Sequence, residues 1–198
     1  MTVLWREALT ALNARYPHPA WGPAHCARVY SLALELAERE GWRADGDALF
    51  AAACLHDLGA FAPHRLEGAD HAQRAADLTP AWLADAAYPG DPSAVQAVIR
   101  GHMYSADPGH APEAIVFHDA DTLDFMGAVG VARVLAIVGL DDWTPDLPSA
   151  LALLQRFARE LPGALISNAA RDLGLLRTSE TRSFIAALAD STRGLAVL

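Results

Sequence analysis

The sequence predicts an all-α fold, and three observations carry that expectation. Apolar residues recur at helical spacing along nearly the whole chain. No run of four or more residues alternates cleanly between polar and apolar side chains between hairpin turns, so strands have no support. Proline and glycine fall mostly where the helical pattern breaks.

Val3, Leu4, Ala8, Leu12 and Tyr16 mark a first amphipathic helix, which must stop near Pro17 and Pro19 because proline lacks a donor and clashes with the preceding turn. A second starts near Pro23, runs through Val29, Leu32, Leu36 and Ala37, and stops at Gly41. Asp45 or Asp47 caps a third, from Ala48 to about Leu58, and residues 59 to 68 form a loop. A fourth is expected from Ala69 to about Ala86, kinked or split at Pro80. Turn residues crowd positions 88 to 92, and Ser93 to Met103 reads as a fifth helix. After the proline-marked loop 107 to 112, Glu113 to Phe125 reads as a sixth. Gly127 and Gly130 interrupt the pattern, and Val131 to Leu140 makes a short apolar helix that ends at Gly139. Two more, about Asp146 to Leu161 and Ala164 to Ala189, complete the chain. With no repeat, low-complexity tract or long linker, residues 1–198 read as a single domain.

The 198 residues include 53% hydrophobic ones, enough for a substantial core. All 15 basic residues are arginine, against 24 acidic ones. The missing lysine excludes Schiff-base chemistry, a Walker-type phosphate lysine and a lysine general base. A net charge of −9 without a basic run argues against a surface built for a nucleic-acid polymer. A small anionic ligand in a local metal or arginine pocket remains compatible. Cys26 and Cys54 lack CxxC or zinc-ribbon spacing and read as buried small side chains of a reduced protein. Arg6 and Glu7 fall where an export signal needs an apolar run, and no uncharged apolar stretch of ~18 residues follows. A cytoplasmic protein without a membrane partner is expected.

Histidine is the informative residue. The chain has eight, at positions 18, 25, 56, 64, 71, 102, 110 and 118. Of the two His-Asp dipeptides, His56-Asp57 closes the apolar run that begins at Leu49, where burial is costly unless both groups are paired or bind a metal. Adjacent helical residues diverge by about 100°, yet near a helix end both can reach one ion or bridge two. A second acidic segment, His118-Asp-Ala-Asp-Thr-Leu-Asp124, places Asp121 on one face with His118 and Asp124. Taken alone, Asp119, Asp121 and Asp124 are also compatible with a solvated acidic face. His18, His64 and His110 sit beside proline or glycine in loops and read as solvated, with His64 also a candidate for the mouth of a site.

The order His25, His56-Asp57, Asp121 resembles the HD-domain superfamily of metal-dependent phosphohydrolases. The run Asp119-Ala-Asp-Thr-Leu-Asp-Phe-Met-Gly-Ala-Val-Gly-Val-Ala-Arg133 is especially similar to the bacterial HD hydrolases. The resemblance implies an all-helical HD domain with a core about 20–140, C-terminal helices about 146–190 packed on it, and a central metal held by His25, His56, Asp57 and Asp121. In dinuclear branches of the superfamily, histidines at the positions of His71 and His102 bind a second ion while the aspartate of the pair bridges both. In the one-ion alternative, His71 and His102 serve as acid, base or phosphate ligands. Imidazole and carboxylate without thiolate suit Mn²⁺, Fe²⁺, Co²⁺, Ni²⁺ or Zn²⁺, and Mg²⁺ is not distinguished from them.

The implied activity is hydrolysis of a small phosphorylated substrate, most naturally a nucleotide, by a metal-activated water. The lysine expected after the HD pair is replaced here by Phe61-Ala-Pro-His-Arg65, which makes Arg65 the candidate catalytic cation beside His71 and His102. Arg28 and Arg100 are alternative phosphate clamps, and Arg133 is a candidate ion-pair partner of Asp124 or Asp121. The same ligand order also occurs in di-iron oxygenases that act on phosphonates or polyols, and a non-catalytic sensing module is a third reading. Trp21, Trp82 and Trp143 are candidates for a homodimer interface, although tryptophan at helical spacing more often lies in a core.

Overall fold

A computed structural model describes residues 2–195. Among them are nine α-helices and no strand. They are α1 (Thr2–Asn13), α2 (Pro23–Glu40), α3 (Gly46–Leu55), α4 (His71–Asp85), α5 (Pro92–Arg100), α6 (Pro112–Asp124), α7 (Gly127–Leu135), α8 (Leu147–Ala164) and α9 (Asn168–Ser191). A 3-10 turn, Leu58–Ala60, links α3 to the loop before α4.

The boundaries follow local chemistry. α2 opens on Pro23 and ends at Gly41, whose φ of 68° suits a residue without a Cβ. Asp45 caps α3 by accepting from the Asp47 and Ala48 amides at 2.8 and 3.2 Å. Asp47 instead pairs with Arg6. α4 begins at His71 rather than Ala69 because Asp70 caps it, accepting from the Gln73 amide at 2.9 Å.

Pro80 sits inside α4 without splitting it. Its missing N–H frees the Ala76 carbonyl, which accepts from Gln96 Nε2 of α5 at 2.8 Å. α7 begins at Gly127, four residues earlier than the glycine spacing suggests. Gly130 is there for close approach, since a Cβ would lie 2.2 Å from the Phe125 carbonyl. Residues 136 to 140 form turns rather than a longer helix. α8 continues to Ala164, and Ser167 caps α9 through the Ala170 amide.

α2 and α6 pack together at the centre, α3 and α5 flank them, α4 lies on α5 and α1 on α3. α7, α8 and α9 pack on one another and on α6. Leu36, Leu49, Leu55, Ile99, Phe117, Leu123, Leu154 and Leu161 form the heart of the core. Trp82 is in this core, Trp21 is partly buried and Trp143 is exposed. No helix among the described residues is long and apolar enough to cross a membrane.

α6 is buried nearly all round, including His118, Asp119, Asp121 and Asp124. The acidic segment is therefore not a solvated face, and each ionisable group needs a partner. Asp119 accepts from the Ile166 and Ser167 amides at 2.8 Å each, holding the α8–α9 connection. His118 lies within hydrogen-bonding distance of the carbonyls of Gly101 (Nδ1, 3.0 Å) and Ala164 (Nε2, 3.2 Å).

Candidate metal centre

Five elements deliver side chains to one point. His25 lies in the first turn of α2, His56 caps the C-terminus of α3, and Asp57 follows in the turn. His71 is the first residue of α4, His102 follows α5, and Asp121 lies on α6. Because His56 and Asp57 leave the helix as it ends, the two side chains reach the same centre. Gly59 lets this turn lie against α4, since a Cβ would stand 2.2 Å from the His71 carbonyl oxygen.

His25 Nε2 is 3.2 Å from His56 Nε2, 3.2 Å from Asp121 Oδ1 and 3.5 Å from Asp57 Oδ2. His56 Nε2 is 3.2 Å from Asp57 Oδ2 and 3.9 Å from Asp121 Oδ1. On the other side of Asp57, Oδ1 faces His71 Nε2 at 3.5 Å and His102 Nε2 at 3.8 Å. Ligand bonds of about 2.1 Å separated by right or tetrahedral angles put donor atoms about 3.0–3.4 Å apart. The spacing within the His25–His56–Asp121 group is close to that, with the longest pair slightly beyond it.

The outer sides of the imidazoles are equally informative. His25 Nδ1 donates to Asp124 Oδ2 at 2.7 Å, His56 Nδ1 to the Ala53 carbonyl at 3.1 Å, and His102 Nδ1 to the Ile99 carbonyl at 2.7 Å. These partners only accept, so each Nδ1 carries hydrogen, and in the neutral ring Nε2 turns a lone pair toward the centre. Bare nitrogens facing one another and two carboxylates repel unless a cation or a proton lies between them. The donor set therefore fits divalent metal.

The carboxylates favour positive charge at this centre, whether it comes as a proton or as a metal ion. Burial and Arg133 lower the proton affinity of His25, but hydrogen bonds with Asp121, Asp124 and Asp57 outweigh them and raise its pKa to about 10. Burial and His56 push His102 down to about 4. His71 is raised, with burial opposing and Asp57 prevailing. For Asp57, burial opposes ionisation, but His56, His25 and His71 hold it well below the ordinary carboxylate range. Asp121 is lowered in the same way, mainly by His25.

Asp124 supports the cluster from behind. Besides His25 it accepts from Arg28 Nε at 2.8 Å and Nη2 at 2.9 Å. Arg133 Nη1 stands 2.9 Å away, its Nε donates to the Ala20 carbonyl, and its guanidinium lies 3.9 Å above the Phe125 ring. Sequence reasoning placed Asp124 on the correct face and named it as a partner of Arg133, but missed its hold on His25. The three-residue spacing from Asp121 was the available signal.

A cavity of about 90 Å³ opens on the cluster. Asp57, His71, His102 and Asp121 line it, together with the rings of Trp21, Tyr104, Phe125, Trp143 and Phe157. Thr122 also lines it, and its buried hydroxyl has no partner among the described residues.

Among the described residues no arginine lines this cavity. Arg28, one turn beyond His25, spends its fork on Asp124. Arg100 lies at the exposed end of α5, 3.9 Å from Asp77. Arg65 is exposed in the loop before α4. Two loop histidines are not simply solvated either. His64 Nε2 shares a 2.7 Å hydrogen bond with Tyr16 Oη, and His18 stacks on Trp21. His110 is exposed as expected.

Solved structures share this architecture. Bacillus subtilis YpgQ, solved in complex with ADP, is 22% identical, with a TM-score of 0.69 over 96% of this chain and 98% of that one. A Lactobacillus plantarum protein is 24% identical, with a TM-score of 0.67 over 96% and 98%. A predicted HD superfamily hydrolase from an uncultured Thermotogales bacterium is 25% identical, with a TM-score of 0.63 over 94% and 90%. No curated protein matches the chain. The HD domain family profile matches residues 24–126, a span that runs from the residue before His25 to just past Asp124 and so contains every side chain of the cluster. The chain belongs to the HD domain family.

Proposed function

We propose that the protein is a metal-dependent phosphohydrolase with a dinuclear centre. The observation that carries this reading is the division of Asp57: Oδ2 faces His25 and His56, while Oδ1 faces His71 and His102. His25, His56, Asp57 and Asp121 would hold one ion, and Asp57, His71 and His102 the other. Mn²⁺, Fe²⁺, Co²⁺, Ni²⁺, Zn²⁺ or Mg²⁺ all suit such donors to differing degrees. Divalent ions supply an acidified water and a Lewis acid for the phosphoryl oxygens.

The chain's own groups do the rest. Asp124, Ala53 and Ile99 hold the imidazole protons on the outer nitrogens. The Phe125 and Phe157 rings limit bulk water beside the reacting group, and Thr122 offers a hydroxyl to it. His71 is about a quarter exposed at the cavity, which suits proton exchange with solvent should it not bind metal.

The substrate is a small phosphorylated molecule, and a nucleotide fits best. The YpgQ complex with ADP and the aromatic lining, which can stack on a base, support that reading. The test is metal analysis of the purified protein combined with phosphate and pyrophosphate release from a nucleotide panel with Mn²⁺ or Co²⁺. Two bound irons with oxygen uptake and no phosphate release would make it an oxygenase, and neither activity would leave a sensing module. In the same assay, His71→Ala is expected to lower bound metal from two ions to one per chain; unchanged content would favour the mononuclear reading.

A further inference from the structure

The cavity over the cluster is small. Its volume of about 90 Å³ is well below the ~300 Å³ at which pockets begin to enclose a drug-sized ligand. It accommodates a phosphoryl group and little more, so the remainder of any substrate must lie outside it.

Trp143 lines this cavity and also a second, larger groove of about 530 Å³. The other walls of that groove are Ser149, Ala152, Leu153, Arg156 and Arg159, all from α8. Arg156 and Arg159 are three residues apart and therefore share a helix face. The Arg156 guanidinium lies 5.6 Å from the centre of the Phe157 ring, whose residue also lines the cavity. Neither cation is firmly committed. Arg156 pairs with Glu160 only at 3.9 Å, with both side chains about half exposed, and such pairs are worth little. Arg159 has no ion pair or side-chain hydrogen bond among the described residues. Among the described residues no acidic side chain lines the groove.

This placement matters in a chain of net charge −9 whose catalytic cavity contains no arginine. We propose that Arg156 and Arg159 form a second, anion-binding subsite. It takes the distal phosphate of a substrate whose reacting phosphoryl group enters the cavity and whose organic part crosses Trp143. Guanidinium suits that task because its planar fork matches phosphate oxygens. The subsite rests on the phosphohydrolase reading for its place in the reaction, but binding tests it separately.

The probes are adenosine 3′,5′-bisphosphate and adenosine 5′-monophosphate, titrated calorimetrically into the full chain. The bisphosphate is expected to bind about 10-fold more tightly, in line with one added charge-assisted contact. In Arg156→Gln/Arg159→Gln that ratio should collapse toward unity while the melting temperature holds. Arg156→Lys/Arg159→Lys should keep part of it. Equal binding of both probes by the parent protein, or a preference that survives the glutamine pair, overturns the subsite. Phosphate release from the monophosphate without a bisphosphate preference sinks the subsite alone. A clear preference without phosphate release from any nucleotide sinks the hydrolase reading alone.

Discussion

Asp57→Ala is expected to leave the purified protein almost free of metal. Asp57 is the one side chain whose oxygens face both donor groups, so its loss weakens each proposed ion site at once. His56→Ala removes the nitrogen that faces His25, Asp57 and Asp121 and should empty the first site as well. Phosphate release should fall by at least the ~10²–10³-fold that follows removal of a single charge-stabilising donor elsewhere. The fold itself should survive Asp57→Ala, because the histidines that lose this partner can shed a proton rather than stay as buried unpaired charges. Metal analysis, circular dichroism and turnover on the same preparation separate these effects. Unchanged metal content in both variants would sink the assignment of the centre.

The second large effect is expected at Asp124, which need not touch a metal. Asp124→Ala leaves Arg133 buried without its anionic partner and frees the outer nitrogen of His25. Breaking a buried pair by removing one partner typically costs about 3–5 kcal/mol. In a chain of this length that is roughly 6–20 °C of melting temperature, readable by scanning calorimetry. Asp124→Asn keeps the shape but not the charge, and metal affinity should fall about 10–100-fold, as it does when outer partners of metal ligands are changed. The acid limb of stability should flatten too. Burial opposes ionisation of Asp124, but His25, Arg28 and Arg133 hold its folded pKa far below the ordinary 3.8. Its contribution is therefore complete above that value and is lost as pH falls below it toward the folded pKa. The asparagine variant cannot lose what it lacks.

The cluster could be read from the sequence because its members sit at recognisable points of helical pattern. His56-Asp57 closes an apolar run, and His25, His71 and His102 lie near helix ends in the order of a known family. Helix existence was equally legible, since apolar periodicity reports which face is buried. What stayed hidden was anything decided by a distant segment. Pro80 reads as a kink or a split, and Gln96, which supplies the donor that the Ala76 carbonyl lost, is not visible from it. Gly130 reads as an interruption until Phe125 is seen against it. Arg28 reads as a phosphate clamp because its distance from His25 in sequence is known and its partner Asp124 is not. The aromatic lining had no local signature, because Trp21, Tyr104, Phe125, Trp143 and Phe157 come from separate parts of the chain.

His118-Asp119, the second His-Asp dipeptide, bears on where the chain can be cut. Its histidine lies against the carbonyls of Gly101 and Ala164, and its aspartate holds the amides of Ile166 and Ser167. Residues 24–126 carry the family match, yet these partners at 164 to 167 lie well beyond it. A fragment ending after α7 would keep every proposed metal ligand and still strand a carboxylate in the middle of a buried helix. The stretch most readily recognised by its family is thus shorter than the smallest piece that can satisfy its own buried groups.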